Sequence, residues 1–217
     1  GDMNKKYEPL FTPWKVGNCE IKNRIVVCPM GGTSLFGWME PHHFDKDAAD
    51  FFMDIAKHDA GLIIPGIAPI RNMLGNRWLY KAKGAFRKLK PYMNELHKTG
   101  AKLFVQLTAG FGRSFSIPNS LAPVAKKKFL RGMLKPIIDI DRLCASPSVL
   151  PSRWLEGFSC RSLTKKEIEK MVEGFAKTAK MCKDAGVDGV EIHAEHEGYS
   201  VPYLFVILEE GKSIDEV

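Results

Sequence analysis

An α/β fold of parallel strands is what the sequence predicts, and three observations predict it. Three times the chain runs from an amphipathic helical stretch, through a glycine, into a short apolar or β-branched run, an alternation that implies parallel strands joined by right-handed crossovers. No strand is followed by the GxGxxG turn of a dinucleotide-binding sheet; the nearest approach, Gly110-Phe111-Gly112, opens a long loop. Turn-forming and polar residues sit just after each strand, at Pro29-Met30, Pro65-Gly66, Gln106 to Thr108 and His193, and the C-terminal strand ends are where (β/α)₈ barrel enzymes keep their chemistry. Periodicity by itself fits an open doubly wound sheet equally well, and the second and third observations favour the barrel.

The elements follow in order. Ile25-Val26-Val27 supplies a first strand. The run from Asp45 to Ala60 reads as a helix, then Gly61, then a second strand at Leu62-Ile63-Ile64. From Phe86 to Thr99 a second helix is expected, followed by Gly100 and a strand at Leu103-Phe104-Val105. Thr164 with Glu167 three residues on makes a capping box, and Ile168, Val172, Phe175, Ala179 and Cys182 mark one apolar face of the helix it opens. Gly186 ends that helix in the left-handed conformation that other residues reach only at a cost, and Val187 to Ile192 follows as a fourth strand. Residues 110–163 form a long connection rich in Ser, Pro, Lys and Arg, with a strand-like patch at Ile137-Ile138. Its position after the third strand would lay it over the barrel mouth as a lid, unless it is an insertion that never meets substrate.

Composition bounds the class. At 217 residues, 45% apolar and 26% charged, the chain is expected to be soluble and globular with one sizeable core. The net charge of +7 is spread along the chain, and only Lys126, Lys127, Lys128 and Arg131 cluster. That cluster reads as a solvated loop, with a patch for nucleic acid or an acidic coenzyme A tail as the competing reading. The five cysteines show no CxxC spacing for zinc or iron–sulfur chemistry, so reduced thiols in a cytoplasmic setting are expected and no metal. No signal-peptide pattern is present, and the apolar run from Val201 to Leu208 is too short to cross a bilayer. Gly1 and Asp2 before Met3 read as an expression scar, which leaves residues 1–3 outside the fold.

Four segments then resemble the old yellow enzyme family of FMN-dependent ene-reductases, most closely its 2-enoate reductase and bile-acid-inducible reductase branch. Leu10-Phe11-Thr12-Pro13, Lys22-Asn23-Arg24-Ile25 and Pro29-Met30-Gly31 resemble the opening strand; Gly61 to Ile64 with Gly66-Ile67-Ala68-Pro69 resembles the second. Phe104 to Gly110 with Gly112-Arg113 resembles the third, and Asp188 to Tyr199 the fourth. The resemblance implies a partial (β/α)₈ TIM barrel of about the first four βα units, covering residues 4–199, followed by a divergent tail at 200–217 and completed by self-association. It implies FMN, held by Gln106 at the edge of its pyrimidine ring and flanked by Pro29, Met30, Gly31 and Gly66, with NADH or NADPH as reductant. The amide of Gln106 suits that role because it offers both a donor and an acceptor.

His193 and His196 are implied to hydrogen-bond the carbonyl of an enoate or enone substrate as hydride arrives, and Tyr199 to protonate the α-carbon. Zinc binding by His193, His196 and Glu197 is a competing reading that requires the strand to end first, since strand residues three apart face opposite ways. Where the family usually carries histidine in its third-strand motif, Ala109 stands here. After Tyr199 the family's acidic and aromatic stretch is replaced by Ser200-Val201-Pro202-Tyr203. The turns after the seventh and eighth strands, expected to hold the FMN phosphate, have no counterpart among the four strands counted, so weak flavin binding is expected. The alternative function is a non-catalytic half barrel that self-associates without flavin. No nucleic-acid or membrane partner is expected.

Overall fold

The computed structural model describes residues 4–194; His196, Tyr199 and the tail 200–217 lie outside the described residues. In chain order the elements are β1 (Trp14–Val16), β2 (Cys19–Ile21), β3 (Val26–Val27), α1 (Lys46–Lys57), β4 (Leu62–Ile63), β5 (Ala68–Pro69), α2 (Lys83–His97), β6 (Lys102–Thr108), α3 (Ala122–Ala125), α4 (Lys128–Leu134), α5 (Ile140–Leu143), β7 (Leu150–Pro151), β8 (Ser159–Cys160), α6 (Lys165–Asp184) and β9 (Gly189–Ile192). The described residues fall into two units, 4–108 with 173–193 and 109–172 with 194.

The first unit is a parallel sheet in the order β3, β4, β6, with β5 and β9 also paired to β6. All its pairings are parallel, as the helix-glycine-strand alternation predicts. β4 and β5 are two parts of one strand position. Leu62 and Ile63 face Lys102 and Leu103, and Ala68 and Pro69 face Leu107 and Thr108. Five steps of chain from Ile63 to Ala68 thus run beside four from Leu103 to Leu107, so a bulge absorbs one extra residue at Ile64-Pro65-Gly66-Ile67. β6 runs on past the expected Val105 to Thr108, because the polar groups that end its apolar run find partners: Gln106 bonds to Glu191 and the Thr108 carbonyl accepts from Ile70 N–H at 2.9 Å.

Two sets of side chains cover the two faces of this sheet. Phe104, Leu62 and Ile64 pack with Ile21, and Trp14, Cys19 and Val26 close around them. These lie at the starts of the strands, so the β1–β2 hairpin covers the N-terminal end of this face. The turn of that hairpin is Gly17-Asn18, with Gly17 at φ +56. Leu103, Val105 and Leu107 alternate to the opposite face and are buried there. On the helices, Ala49, Phe52 and Ala56 of α1 and Phe86, Leu89, Met93 and Leu96 of α2 are buried. The two helices meet where the Tyr92 hydroxyl donates to the Ala49 carbonyl at 3.0 Å. α2 begins at Lys83, one turn ahead of the expected Phe86, after a 3₁₀ turn over Leu79–Lys81 that delivers the chain in helical register.

The Lys22-Asn23-Arg24 motif has a mechanical role. The buried Asn23 amide donates to the Asp59 carbonyl at 2.7 Å and its oxygen accepts from Ile25 N–H at 3.1 Å, while Trp14 Nε1 donates to the Asn23 carbonyl at 2.6 Å. The start of β3 is thereby fastened to the α1–β4 turn. Gly61 is required in that turn, since a Cβ there would lie 2.2 Å from Asn23 Oδ1.

In the second unit, Lys126 and Lys127 form the turn between α3 and α4 while Lys128 and Arg131 lie on α4, and the three lysines are exposed. Arg131 on α4 pairs with Asp141 at 2.9 Å, donates to the Ala125 carbonyl and lies over the Phe158 ring. The Ile137-Ile138 patch is not a strand. Both N–H groups bond back to the Leu134 carbonyl and close the end of α4. β7 and β8 form an antiparallel pair. The capping box is present, with Glu167 N–H donating to Thr164 Oγ1 at 3.2 Å and Thr164 N–H to Glu167 Oε2 at 2.9 Å. Two guanidinium nitrogens of Arg161 also donate to Glu167, chiefly these holding its carboxyl down at about 2.

Candidate active site at the strand ends

Alternation along β6 puts Phe104, Gln106 and Thr108 on one face, and along β9 it puts Gly189, Glu191 and His193 on one face. The register joins the two series: Phe104 lies opposite Gly189 and Gln106 opposite Glu191. Ladder bonding continues one step further, His193 N–H donating to the Leu107 carbonyl at 2.9 Å. The face is therefore layered. Phe104 fills the layer beside Gly189, where any Cβ would sit 2.7 Å from the Phe104 ring. Gln106 and Glu191 form the next layer, and Thr108 and His193 stand at the C-terminal rim. Layers of side chains from neighbouring strands are how parallel barrels fill their interiors.

Gln106 is 7% exposed, and its Nε2 donates to Glu191 Oε1 at 2.5 Å. That bond fixes which way the amide points. Among the described residues Glu191 is its side-chain partner, and the amide keeps a second N–H and a carbonyl oxygen, a donor and an acceptor, beyond that bond. Glu191 is thus a positioning group for Gln106, whereas in the sequence it stands out only as part of a motif. The signal that would have found it is strand pairing, because Glu191 meets Gln106 only in this register.

Asp188 sets the register. Its Oδ2 accepts Leu103 N–H at 2.9 Å, its own N–H donates to the Leu103 carbonyl at 3.0 Å, and His97 at the end of α2 bonds its carboxylate at 2.9 Å. Lys102 approaches the same carboxylate at 3.8 Å. Three groups, Leu103 N–H and Lys102 of β6 and His97 of α2, converge on this one side chain just ahead of β9, so a slip of one residue would cost all of them and turn Glu191 and His193 to the opposite face.

At the other side of the sheet, Pro29 is half-buried, and Met30 and Gly31 are exposed just beyond β3. Gly66 is buried beside them: a Cβ there would lie 2.3 Å from the Met30 carbonyl oxygen. Its N–H donates to Thr33 Oγ1 at 3.1 Å, and that hydroxyl donates to Met30 O at 2.8 Å. Gly66 therefore draws the ends of the first two strand positions together, and its own N–H is engaged within the chain. His42 closes the neighbouring strand end, with Nε2 at 2.9 Å from the Pro69 carbonyl. Burial holds its imidazole down at about 4, so at neutral pH it is the uncharged Nε2–H tautomer that donates there.

The structure brings Gln106 and His193 onto one face of adjacent strands, and places Pro29, Met30, Gly31 and Gly66 at neighbouring strand ends. His196 and Tyr199 are outside the described residues. Among the described residues, no three His, Cys, Asp or Glu side chains gather as a metal site, and no helix is long and apolar enough to cross a membrane. An isoalloxazine edge would fit the remaining donor and acceptor of the Gln106 amide.

Residues 9–216 match the model of the NADH:flavin oxidoreductase / NADH oxidase family. The chain is 36% identical over 211 residues to the cinnamate reductase of Clostridium sporogenes, covering 91% of this chain and 27% of that protein. It is 30% identical to the NADH oxidase of Thermoanaerobacter brockii, covering 88% of this chain and 26% of that protein. Among solved structures, the Old Yellow Enzyme of Pichia sp. AKU4542 matches with a TM-score of 0.64 at 23% identity, over 88% of this chain and 47% of that one. The chain thus spans about a quarter of the two curated relatives and about half of that solved chain.

Proposed function

This chain belongs to the NADH:flavin oxidoreductase / NADH oxidase family, and from that premise we propose that it forms the substrate side of an FMN-dependent reductase of activated carbon–carbon double bonds, acting on α,β-unsaturated carboxylates or carbonyls. The observation that carries this reading is the Gln106–Glu191 layer, with His193 directly above it at the C-terminal ends of parallel strands. The 36% identity to a cinnamate reductase supports an aryl or alkyl enoate as the substrate class.

Gln106 would hold the pyrimidine edge of the flavin through its second N–H and carbonyl, with Met30 and Pro29 against the ring, Gly31 giving close approach and Gly66 holding the Met30 segment in place. FMN, reduced by NADH or NADPH, supplies hydride when bound. His193, with His196, would donate hydrogen bonds to the substrate carboxylate or carbonyl and draw charge away from the double bond. Tyr199 would deliver a proton to the α-carbon; a phenol with a reference pKa of about 10 is still protonated at neutral pH.

Among the described residues, the outer edges of β3 and β9 carry no paired strand. Closing the sheet into a barrel requires strands beyond these, and a second copy of the chain is the source this reading favours. The test is visible absorbance after incubation with FMN and gel filtration, followed by anaerobic reduction of cinnamate with NADH. A yellow oligomer that consumes NADH with cinnamate supports the reading. A colourless oligomer supports the non-catalytic half barrel instead, and a colourless compact monomer counts against both.

A further inference from the structure

Outside the strand-end site, two side chains of the second unit have redox chemistry open to them. Cys144 caps α5 and Cys160 ends β8; both are free thiols and both are 1% exposed. Their side chains are hydrogen-bonded to each other. The backbone explains why they meet. Ser146 and Ser162 form a parallel bridge, with Ser146 N–H donating to the Arg161 carbonyl at 3.0 Å and Leu163 N–H to the Ser146 carbonyl at 2.8 Å. Cys144 and Cys160 lie two residues before Ser146 and Ser162 on those two segments, Cys144 at the C-cap of α5 and Cys160 at the end of β8.

The two thiols are not equivalent. The hydrogen bond from Cys144 and the nearby Arg113 charge lower the pKa of Cys160, whereas that bond and burial push Cys144 up. Cys160 is therefore the nucleophile of the pair and Cys144 the resolving thiol. Burial at 1% selects a small oxidant over a bulky disulfide.

We propose that Cys144 and Cys160 form an oxidisable dithiol, a modification site that hydrogen peroxide converts to an intrachain disulfide. The Cys160 thiolate attacks one peroxide oxygen: the S–O bond forms, the O–O bond breaks, and the departing hydroxide takes a proton to become water. Cys144 sulfur then displaces hydroxide from the Cys160 sulfenic acid. The S–S bond forms, the S–O bond breaks, and the Cys144 proton leaves with the second water. The sulfur pair loses two electrons and the peroxide is reduced to two waters. The new bond ties the end of α5 to β8, closing a loop that contains β7 and Trp154.

The experiment treats the folded chain with hydrogen peroxide, alkylates it after denaturation, and maps the peptides by mass. The expected product is one cross-linked peptide pair joining Cys144 to Cys160, lighter by two hydrogen atoms and restored by a reductant, with Cys19 and Cys182 still alkylated. Cys144→Ser is expected to trap a sulfenic acid on Cys160 that a carbon-nucleophile probe labels, and Cys160→Ser to leave Cys144 unlabelled. If Cys144 and Cys160 are both alkylated in full at peroxide doses that oxidise the exposed Cys28, the proposal fails. It also fails if Cys160 goes to sulfinic acid with Cys144 still a thiol. Should a serine variant not fold, the mapping of the unaltered chain decides.

Discussion

Replacing Gly66 with alanine would set a methyl carbon 2.3 Å from the Met30 carbonyl oxygen, 3.0 Å from Thr33 Oγ1 and 3.2 Å from Ser34 N. The nearest of these is backbone, so no side-chain rotation relieves the overlap. The ends of the first two strand positions must separate by roughly 1 Å to restore van der Waals contact. Overpacking of this kind costs about 1–3 kcal/mol. Separation also breaks the 3.1 Å bond from Gly66 N–H to Thr33, adding about 0.5–1.5 kcal/mol. Gly66→Ala is therefore expected to destabilise the chain by about 2–4 kcal/mol in urea unfolding followed by tryptophan fluorescence at fixed protein concentration. Gly84→Ala is the control, because that glycine lies in α2 with nothing within 4 Å of where its Cβ would stand, and it should stabilise by about 0.5–1 kcal/mol. A Gly66→Ala cost below about 0.5 kcal/mol, within the range of ordinary surface changes, would disprove the close approach of the two strand ends.

Three further outcomes follow from named contacts. Asp188→Ala removes the acceptor for Leu103 N–H and for His97, and should cost about 2–4 kcal/mol in the same assay while reducing flavin retention, because the facing of Gln106 and Glu191 depends on that register. His42 is held from 6.5 down to about 4 by burial, so the stability of its neutral form is complete above about 6.5 and is lost as pH falls toward 4; His42→Gln should flatten the stability profile across that window. Gln106→Leu should weaken FMN binding by about 10- to 100-fold in a fluorescence-quenching titration, equal to about 1.4–2.8 kcal/mol, with the far-ultraviolet circular dichroism unchanged.

Much of the fold is written locally. Each helix that stops at a glycine before an apolar run shows its boundary through the capping residues and the 3.6-residue period, and α6 with Thr164, Glu167 and Gly186 is the clearest instance. What the local pattern leaves out are short elements. β1 and β2 have three residues each, too few for alternation to stand out, and only Gly17-Asn18 between them signals a hairpin. Ala68-Pro69 completes the second strand position across a bulge that only pairing to β6 reveals. In residues 110–163, Ile137-Ile138 has strand composition, yet both N–H groups are drawn to Leu134 and finish a helix.

The candidate site divides the same way. Gln106 and His193 could be picked out because a polar side chain ending a buried strand needs a reason to be there. Glu191 could not, because its role exists only through register, and register rests on Asp188 bonding to a strand 85 residues earlier.

If Gln106, oriented by Glu191, faces a flavin ring at the strand ends, a structure of the chain with FMN will show it. The pyrimidine edge of the ring is expected within about 3 Å of Gln106 Nε2, with His193 beside the ring. A ring bound at another surface, or Gln106 turned to the opposite face of β6, would overturn the assignment.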